Sequence, residues 1–380
     1  MRACFLIFIF LIPGCSWRTA TKGKTDVQNI STFLDSVRSE HGMPAIAAAV
    51  VLDGRLAALG VAGERKLGSG VAVTSSDQFH LGSCTKAMTA SMIARLVQKK
   101  KLDWSTNLKD TFPDFVGVMH PDYHEVTLYD LLTHRAGLHS ADKNAPAGKT
   151  LHEMHLLPGT GKEQRETYVR LMLFEPPHVT PRTQEAYSNV GYSVAAAIAE
   201  RQTGSDWSTL MRKYLFKPLG MKTVGNGAMG EPGEIRQPWQ HEVKGHKVHP
   251  VEPGRFANNP RVMFPGGGVH CSMEDWCKFV TLHFTGKHKG RRLLKKKTLK
   301  KLHQPASGKD SYACGWYTST RGWGGEVLAH AGSNLRNFAV VWMSPEKKFA
   351  VMVATNQGRG KSEQICDQVC GELIRRFLLE

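Results

Sequence analysis

The spacing of apolar and polar residues changes period several times along the chain, and each change marks an element. Residues 45–51 and 56–61 are short apolar runs separated by Asp53-Gly54, a pattern that predicts a hairpin. A second hairpin is predicted near the C-terminus, where residues 338–343 and 349–354 flank Ser344-Pro345-Glu346-Lys347-Lys348. Residues 27–39 and 362–379 carry apolar side chains at helical spacing and predict amphipathic helices at opposite chain ends. Residues 87–98 (AMTASMIARLVQ) are strongly apolar and lack Gly and Pro, which predicts a buried helix. Gln78-Phe79-His80-Leu81-Gly82 before it reads as a strand and a turn. Thr127-Leu128-Tyr129-Asp130 predicts a capping box with Asp in place of the preferred Glu or Gln, and Gly137 a helix stop. No internal repeat or low-complexity domain is visible.

The predicted 78–98 unit contains chemistry. Ser83-Cys84-Thr85-Lys86 sits at the start of its helix, where residues three apart share a face and an ammonium reaches a hydroxyl. At a helix N-terminus the serine's own N–H can point at an oxyanion, and the helix dipole adds to the effect. Two other Ser-x-x-Lys matches are rejected by context. Ser140-Ala141-Asp142-Lys143 lies in a polar stretch without helical pattern, and Ser344-Pro345-Glu346-Lys347 is the turn of the second hairpin. Downstream, Tyr187-Ser188-Asn189 and His330-Ala331-Gly332 supply a second proton carrier, a polar contact and the edge of a substrate-binding strand.

On these three segments the chain resembles the serine β-lactamase and penicillin-binding-protein superfamily, closest to the branch of class C β-lactamases, D-Ala-D-Ala carboxypeptidases and related esterases. Leu131-Leu132-Thr133-His134-Arg135-Ala136-Gly137-Leu138, Pro218-Leu219-Gly220-Met221 and Gly266-Gly267-Gly268 resemble further landmarks of that family, so the likeness spans nearly the whole chain after the N-terminal segment. The resemblance implies an α/β (α+β) fold: an antiparallel sheet built from both chain ends, flanked by the N- and C-terminal helices, with a mostly helical lobe inserted at about residues 100–300. The active site is expected in the cleft between the lobes.

A serine hydroxyl needs a base, and Lys86, with its pKa lowered by burial, or Tyr187 can serve; the sequence does not choose between them. Asn189 is expected to share an extended face with Tyr187 and to bond the acyl carbonyl. The resemblance places the second oxyanion donor at the Ser333 backbone N–H, and Gly332 is expected to let substrate approach the strand. Where classical penicillin-recognising members of that superfamily carry Lys-Thr-Gly, this chain has His330-Ala331-Gly332, a variant that resembles the esterase-like and class C-like relatives. His330 lacks the permanent charge of that lysine, so carboxylate recognition is expected to suffer unless Arg336, at even spacing on the same strand face, replaces it. His134 and His139 read as scaffold.

Other catalytic classes are excluded. There is no Gly-x-Ser-x-Gly elbow. His241-Glu242 is followed by His246, which breaks zincin spacing, and His152 and His155 lack a third ligand. No metal or cofactor is expected. Arg2, the apolar stretch 5–12 and Pro13-Gly14-Cys15 read as an export signal too short to span a bilayer, with Cys15 as a lipidation site in a bacterial lipoprotein box. Residues 1–25 are therefore assigned to signal and tether and 26–380 to the hydrolase domain. The expected location is the periplasmic side of a bacterial cell envelope, anchored through lipid, or secreted if Cys15 is unmodified. Cys84, Cys271, Cys277, Cys314, Cys366 and Cys370 are scattered and read as buried small hydrophobes. Lys+Arg outnumber Asp+Glu by 50 to 33, with the excess concentrated at residues 287–301. Leu294, Leu299 and Leu302 give that segment a helical stripe, so its lysines read as a solvated face, with anionic lipid headgroups or cell-wall polymers as candidate partners. An exported chain seldom meets nucleic acid, and none is expected. The expected activity is a cell-envelope serine hydrolase forming a Ser83 acyl-enzyme on small-molecule or peptide esters or amides. The alternatives are a β-lactamase or D-Ala-D-Ala carboxypeptidase, and a catalytically silent envelope-binding lipoprotein.

Overall fold

The computed structural model describes residues 26–140, 151–358 and 360–380. The export segment with Cys15, and Ala141 to Lys143 of the rejected motif, lie outside the described residues. Seven strands form the main sheet: β1 (Gln28–Asn29), β2 (Ala45–Leu52), β3 (Arg55–Gly63), β4 (Tyr317–Arg321), β5 (Gly325–Ser333), β6 (Phe338–Ser344) and β7 (Phe349–Thr355), in the order β1-β3-β2-β7-β6-β5-β4. Both predicted hairpins are present. Asp53 and Gly54 take φ of 52° and 74°, as a tight two-residue turn between twisted strands requires. The sheet is antiparallel except at β1, which pairs in parallel with β3. The predicted first helix is therefore shorter than its pattern: Gln28–Asn29 joins the sheet, Asn29 Oδ1 accepts the Ser31 N–H at 2.9 Å, and α1 runs Ser31–Glu40.

Alternation along the strands separates two cores. On β2, Ala45, Ala47, Ala49 and Val51 face one side, while Ile46, Ala48 and Val50 face the other with Leu34 of α1 and with Cys366, Val369 and Leu373. Those last residues belong to the C-terminal helix, Ser362–Ile374, continued by a wider turn to Leu379. Under the first face lie α2 (Thr85–Gln98), buried at every position from Thr85 to Leu96, and α3 (Gly161–Phe174) with α4 (Asn189–Thr203), buried from Val190 to Glu200. A helix apolar all round has to be enclosed, and both site-bearing helices, α2 and α4, are of this kind. A buried Arg165–Glu200 pair joins α3 to α4, and Glu200 also accepts the Trp207 N–H at 2.7 Å. Among the described residues between 100 and 300 helices outnumber strands but do not make up most of that segment, which also holds the hairpin Gln240–Lys244/Lys247–Val251, the strand Val269–Cys271 and long connections. Within it, α5 (Met273–Thr285) packs Phe279, Val280 and Leu282 into the core shared with β2.

The capping box at Thr127 and Asp130 is present, but its helix spans only Leu128–Leu132. It ends before the predicted Gly137 stop because His134, with φ of 57°, turns the chain three residues earlier. All six described cysteines are free and buried. Among the described residues no helix is long and apolar enough to cross a membrane.

Candidate active site

Phe79–His80 pairs with Val269–Cys271, and Leu81 donates to Val269 O at 2.9 Å, fixing the turn that carries the serine. Gly82 adopts φ of 49° and opens a tight 3₁₀ turn, Gly82–Cys84, that runs into α2. Cys84 faces away from the reaction, its thiol donating to His330 O at 3.4 Å, and burial pushes its pKa up. Lys86 is fully buried and its Nζ donates to Ser83 Oγ at 3.1 Å, Asn189 Oδ1 at 2.6 Å and the Gly266 carbonyl at 2.8 Å. The Tyr187 ring lies 4.8 Å from the same nitrogen. Sequence segments more than a hundred residues apart thus converge on one ammonium. Gly266, a landmark of the family resemblance, supplies a carbonyl that no side-chain motif could reveal.

Tyr187 and Asn189 reach the lysine differently from the expected extended face. Ser188 is the N-cap of α4 and accepts the Gly191 N–H, so Asn189 is already the first helical residue while Tyr187 precedes the cap. His134 holds this junction. Its carbonyl accepts the Ala186 N–H at 2.7 Å, its Nδ1 accepts the Ser188 N–H at 3.2 Å, and its ring lies 4.3 Å from that of Tyr187. The imidazole therefore carries its proton on Nε2, and burial beside Lys86 drives its pKa well below the usual value.

On the opposite wall β5 lies directly against the serine turn. A Cβ on Gly332 would fall 2.1 Å from Leu81 O and 2.5 Å from Ser83 N, and one on Gly82 would fall 2.4 Å from Ser333 N. The expected reason for Gly332 is corrected: the space is filled by the nucleophile's own turn, not kept for substrate. The same contact brings the Ser83 and Ser333 nitrogens to the two sides of one backbone junction.

His330 and Arg336 also depart from expectation. His330 is buried, its Nδ1 donates to Ala331 O at 2.6 Å, and its Nε2 faces the Tyr312 hydroxyl at 3.0 Å. Desolvation, with Lys86 nearby, lowers its pKa to about 3, so the ring is neutral and presents no unpaired nitrogen to a ligand. Tyr312 had no signal in the sequence. Arg336 is not on the strand: β5 ends at Ser333 and Leu335 takes φ of 72°, which breaks the two-residue period. Its guanidinium turns to the Phe256 carbonyl, 3.1 Å, and toward Glu242, 3.9 Å. His241, whose spacing already failed a zincin pattern, is buried between Asn356 O and the Leu67 N–H, and among the described residues no cluster of metal-ligating side chains occurs.

Two cavities adjoin this core without being lined by Ser83. One of about 630 Å³ is bordered by His155, Asn258, Asn259, Arg255 and Phe264, and Asn259 ties it to the site by donating to Gly267 O at 3.2 Å. The other, about 380 Å³, is bordered by Phe256, Asn334, Leu335 and Arg336, next to Ser333 in sequence.

A family model described as Beta-lactamase matches residues 27–369. The chain belongs to the Beta-lactamase family. It is a serine hydrolase of that family. It is 28% identical to penicillin-binding protein 4 of Amycolatopsis lactamdurans over 89% of this chain and 88% of that one. It is 27% identical to the D-alanyl-D-alanine-carboxypeptidase/endopeptidase of Escherichia coli (strain K12), over 46% of this chain and 43% of that one. Its fold matches that of the D-amino acid amidase from Ochrobactrum anthropi SV3 with a TM-score of 0.69 and 23% identity, over 91% of this chain and 98% of that one.

Proposed function

We propose that Ser83 is the nucleophile of an acyl-enzyme hydrolase and that Lys86 is its principal proton acceptor. The observation that carries this is the 3.1 Å Ser83 Oγ–Lys86 Nζ contact, combined with the acceptors Asn189 Oδ1 and Gly266 O, which orient the same nitrogen. For reaction the lysine has to be a neutral amine: the N–H directed at Ser83 Oγ is then replaced by a lone pair facing the serine, while N–H groups remain for Asn189 Oδ1 and Gly266 O. Ser83 then attacks the substrate carbonyl, its proton passes to Lys86, and Tyr187 beside it relays a proton to the departing group. The Ser83 and Ser333 N–H groups receive the developing oxyanion, and water later releases the acyl group. Asn189 directs Oδ1 to Lys86, and Nδ2 is the group of the same side chain whose chemistry suits donation to an acyl carbonyl.

The substrate class we favour is an uncharged ester or amide. The strand position that carries lysine in classical penicillin-recognising members of the superfamily holds a neutral, buried His330, Ala331 brings no hydroxyl, and Arg336 is engaged by Glu242 and Phe256 O. Similarity to a penicillin-binding protein and a D-alanyl-D-alanine carboxypeptidase supports a second reading, a peptidase or β-lactamase. The proposed setting is the bacterial cell envelope, with residues 1–25 as export signal and Cys15 as lipid attachment site; its support is the sequence pattern. Labelling with an active-site serine probe followed by peptide mapping tests the nucleophile. Modification of Ser83 is expected, and labelling that persists in Ser83→Ala rejects it. Comparing kcat/KM for p-nitrophenyl butyrate and a chromogenic cephalosporin separates the substrate readings. A wide margin for the cephalosporin, or lower β-lactam turnover in His330→Lys, favours the second.

A further inference from the structure

Two basic runs far apart in sequence meet on one surface. Nine of the fifteen residues from 287 to 301 are Lys or Arg, and no Asp or Glu occurs from 286 to 309. The Gln98 side chain, at the end of α2, donates to Leu293 O at 3.0 Å and accepts from Lys295 N at 2.7 Å and Thr298 Oγ1 at 2.6 Å. This clamp sets Lys99, Lys100 and Lys101, all exposed, beside helix α6 (Lys296–His303). α6 buries Leu299 and Leu302 and exposes Lys296, Lys297 and Lys300. Among the described residues none of Lys99–Lys101 or the Lys and Arg of 287–301 forms an ion pair, whereas many of the arginines elsewhere do.

The described chain begins at the same end of the fold. β1 is parallel to β3 with Gln28 opposite Ala58, which puts Asp26 level with Leu56, beside the Asp53-Gly54 turn. A Cβ on Gly54 would touch Thr281 and Phe284 of α5, at 3.8 and 4.0 Å, and the basic run begins two residues after that helix. Asp26, the first described residue, therefore lies at the end of the sheet against which the helix leading into the basic run packs.

We propose that this surface is a docking face for an anionic phospholipid bilayer, acting together with the N-terminal anchor. The inference rests on the reading of residues 1–25 as an export and lipidation segment. Beside a lipid anchor, a polybasic patch adds attraction to anionic headgroups that grows with each Lys or Arg near the surface. Lysines outnumber arginines seven to two between 287 and 301, and His288 is the sole aromatic ring there. Compact, hydrated point charges suit a diffuse headgroup layer, whereas nucleic-acid grooves favour arginine forks and stacking rings.

The test is co-sedimentation of the full chain, lipidated and as Cys15→Ser, with vesicles of phosphatidylcholine alone or with phosphatidylglycerol, across a salt series. Binding to anionic vesicles should exceed binding to neutral ones and fall steeply with salt. The triple change Lys296→Glu/Lys297→Glu/Lys300→Glu should weaken it by on the order of 100-fold while ester turnover stays at parent level. Glutamates at 296 and 297 suit the first turn of the helix, and Lys99→Ser/Lys101→Ser supplies an independent check on the other run. Equal binding to both vesicle types, no loss in either variant, or a preference for duplex DNA over vesicles overturns the proposal. Loss of the difference between the lipidated chain and Cys15→Ser, with charge dependence retained, overturns the anchor reading alone.

Discussion

Tyr312 donates its hydroxyl to His330 Nε2 across 3.0 Å, eighteen residues away on the edge of the site. The direction follows from the other ring nitrogen: Nδ1 faces the Ala331 carbonyl, which can only accept, so Nε2 has to be the acceptor. The Ala331 carbonyl thus sets the tautomer, burial keeps the ring neutral, and Tyr312 satisfies the remaining nitrogen. Tyr312→Phe should leave Nε2 buried without a donor and lower stability by about 1–3 kcal/mol. Urea denaturation reads this, and an unchanged midpoint would show that the bond contributes nothing.

The convergence on Lys86 predicts a graded series. Lys86→Ala should reduce turnover by on the order of 10²-fold or more, since the serine loses its proton acceptor. Asn189→Ala removes an acceptor that aims the amine, so its loss should fall mainly on kcat. An Asn189→Ala enzyme with parent kcat would contradict the orienting role.

The backbone contact at Gly332 predicts a larger effect than its size suggests. A Cβ there meets Leu81 O at 2.1 Å, and neither backbone segment can yield without moving the other. Gly332→Ala should displace the Ser333 N–H from the Ser83 N–H and lower kcat by about 10²-fold or more, the loss typical of removing one oxyanion donor. Retained activity would mean that the two nitrogens do not act together.

The Arg165–Glu200 pair is almost fully buried, with Arg165 Nε to Glu200 Oε2 at 3.1 Å and the Trp207 N–H on the same carboxylate. Glu200→Gln leaves a buried guanidinium without its counter-charge and should destabilise by about 3–5 kcal/mol. Thermal or chemical denaturation at neutral pH checks this, and a shift below ~1 kcal/mol would refute it.

Buried histidines predict the acid response. Burial lowers the pKa of His80 to about 3, of His270 and His303 to about 4, and of His283 well below its usual value; His283 and His303 share a 2.9 Å bond. These folded-state values lie below the unfolded value near 6.5, so the unfolded chain binds more protons as pH falls through that window. Stability is full above about pH 6.5 and should decline from there toward about pH 4, with up to about 1.4 kcal/mol per pH unit for each histidine that stays neutral in the fold. Denaturation midpoints at about pH 7.5 and pH 5 give the slope, and a flat response would contradict it.

What the sequence alone determined is what short spacing encodes. Ser83 and Lys86 sit three residues apart along a 3₁₀ turn and the helix it runs into, so their contact is local in the chain. Asp53-Gly54 and the 344–348 turn, with short apolar runs on either side, were enough for both hairpins, because run length and turn geometry are local. Tertiary structure decided everything that depends on a partner far along the chain: the Gly266 carbonyl on Lys86, the His134 grip on the Tyr187–Asn189 junction, the Tyr312 bond to His330 and the meeting of the two basic runs. Arg336 marks the boundary between the two. Even spacing placed it on a strand face, but a left-handed Leu335 ended the strand first and sent the guanidinium to Glu242. A backbone reversal of that kind is set by what the turn packs against, and residue spacing carries no record of it.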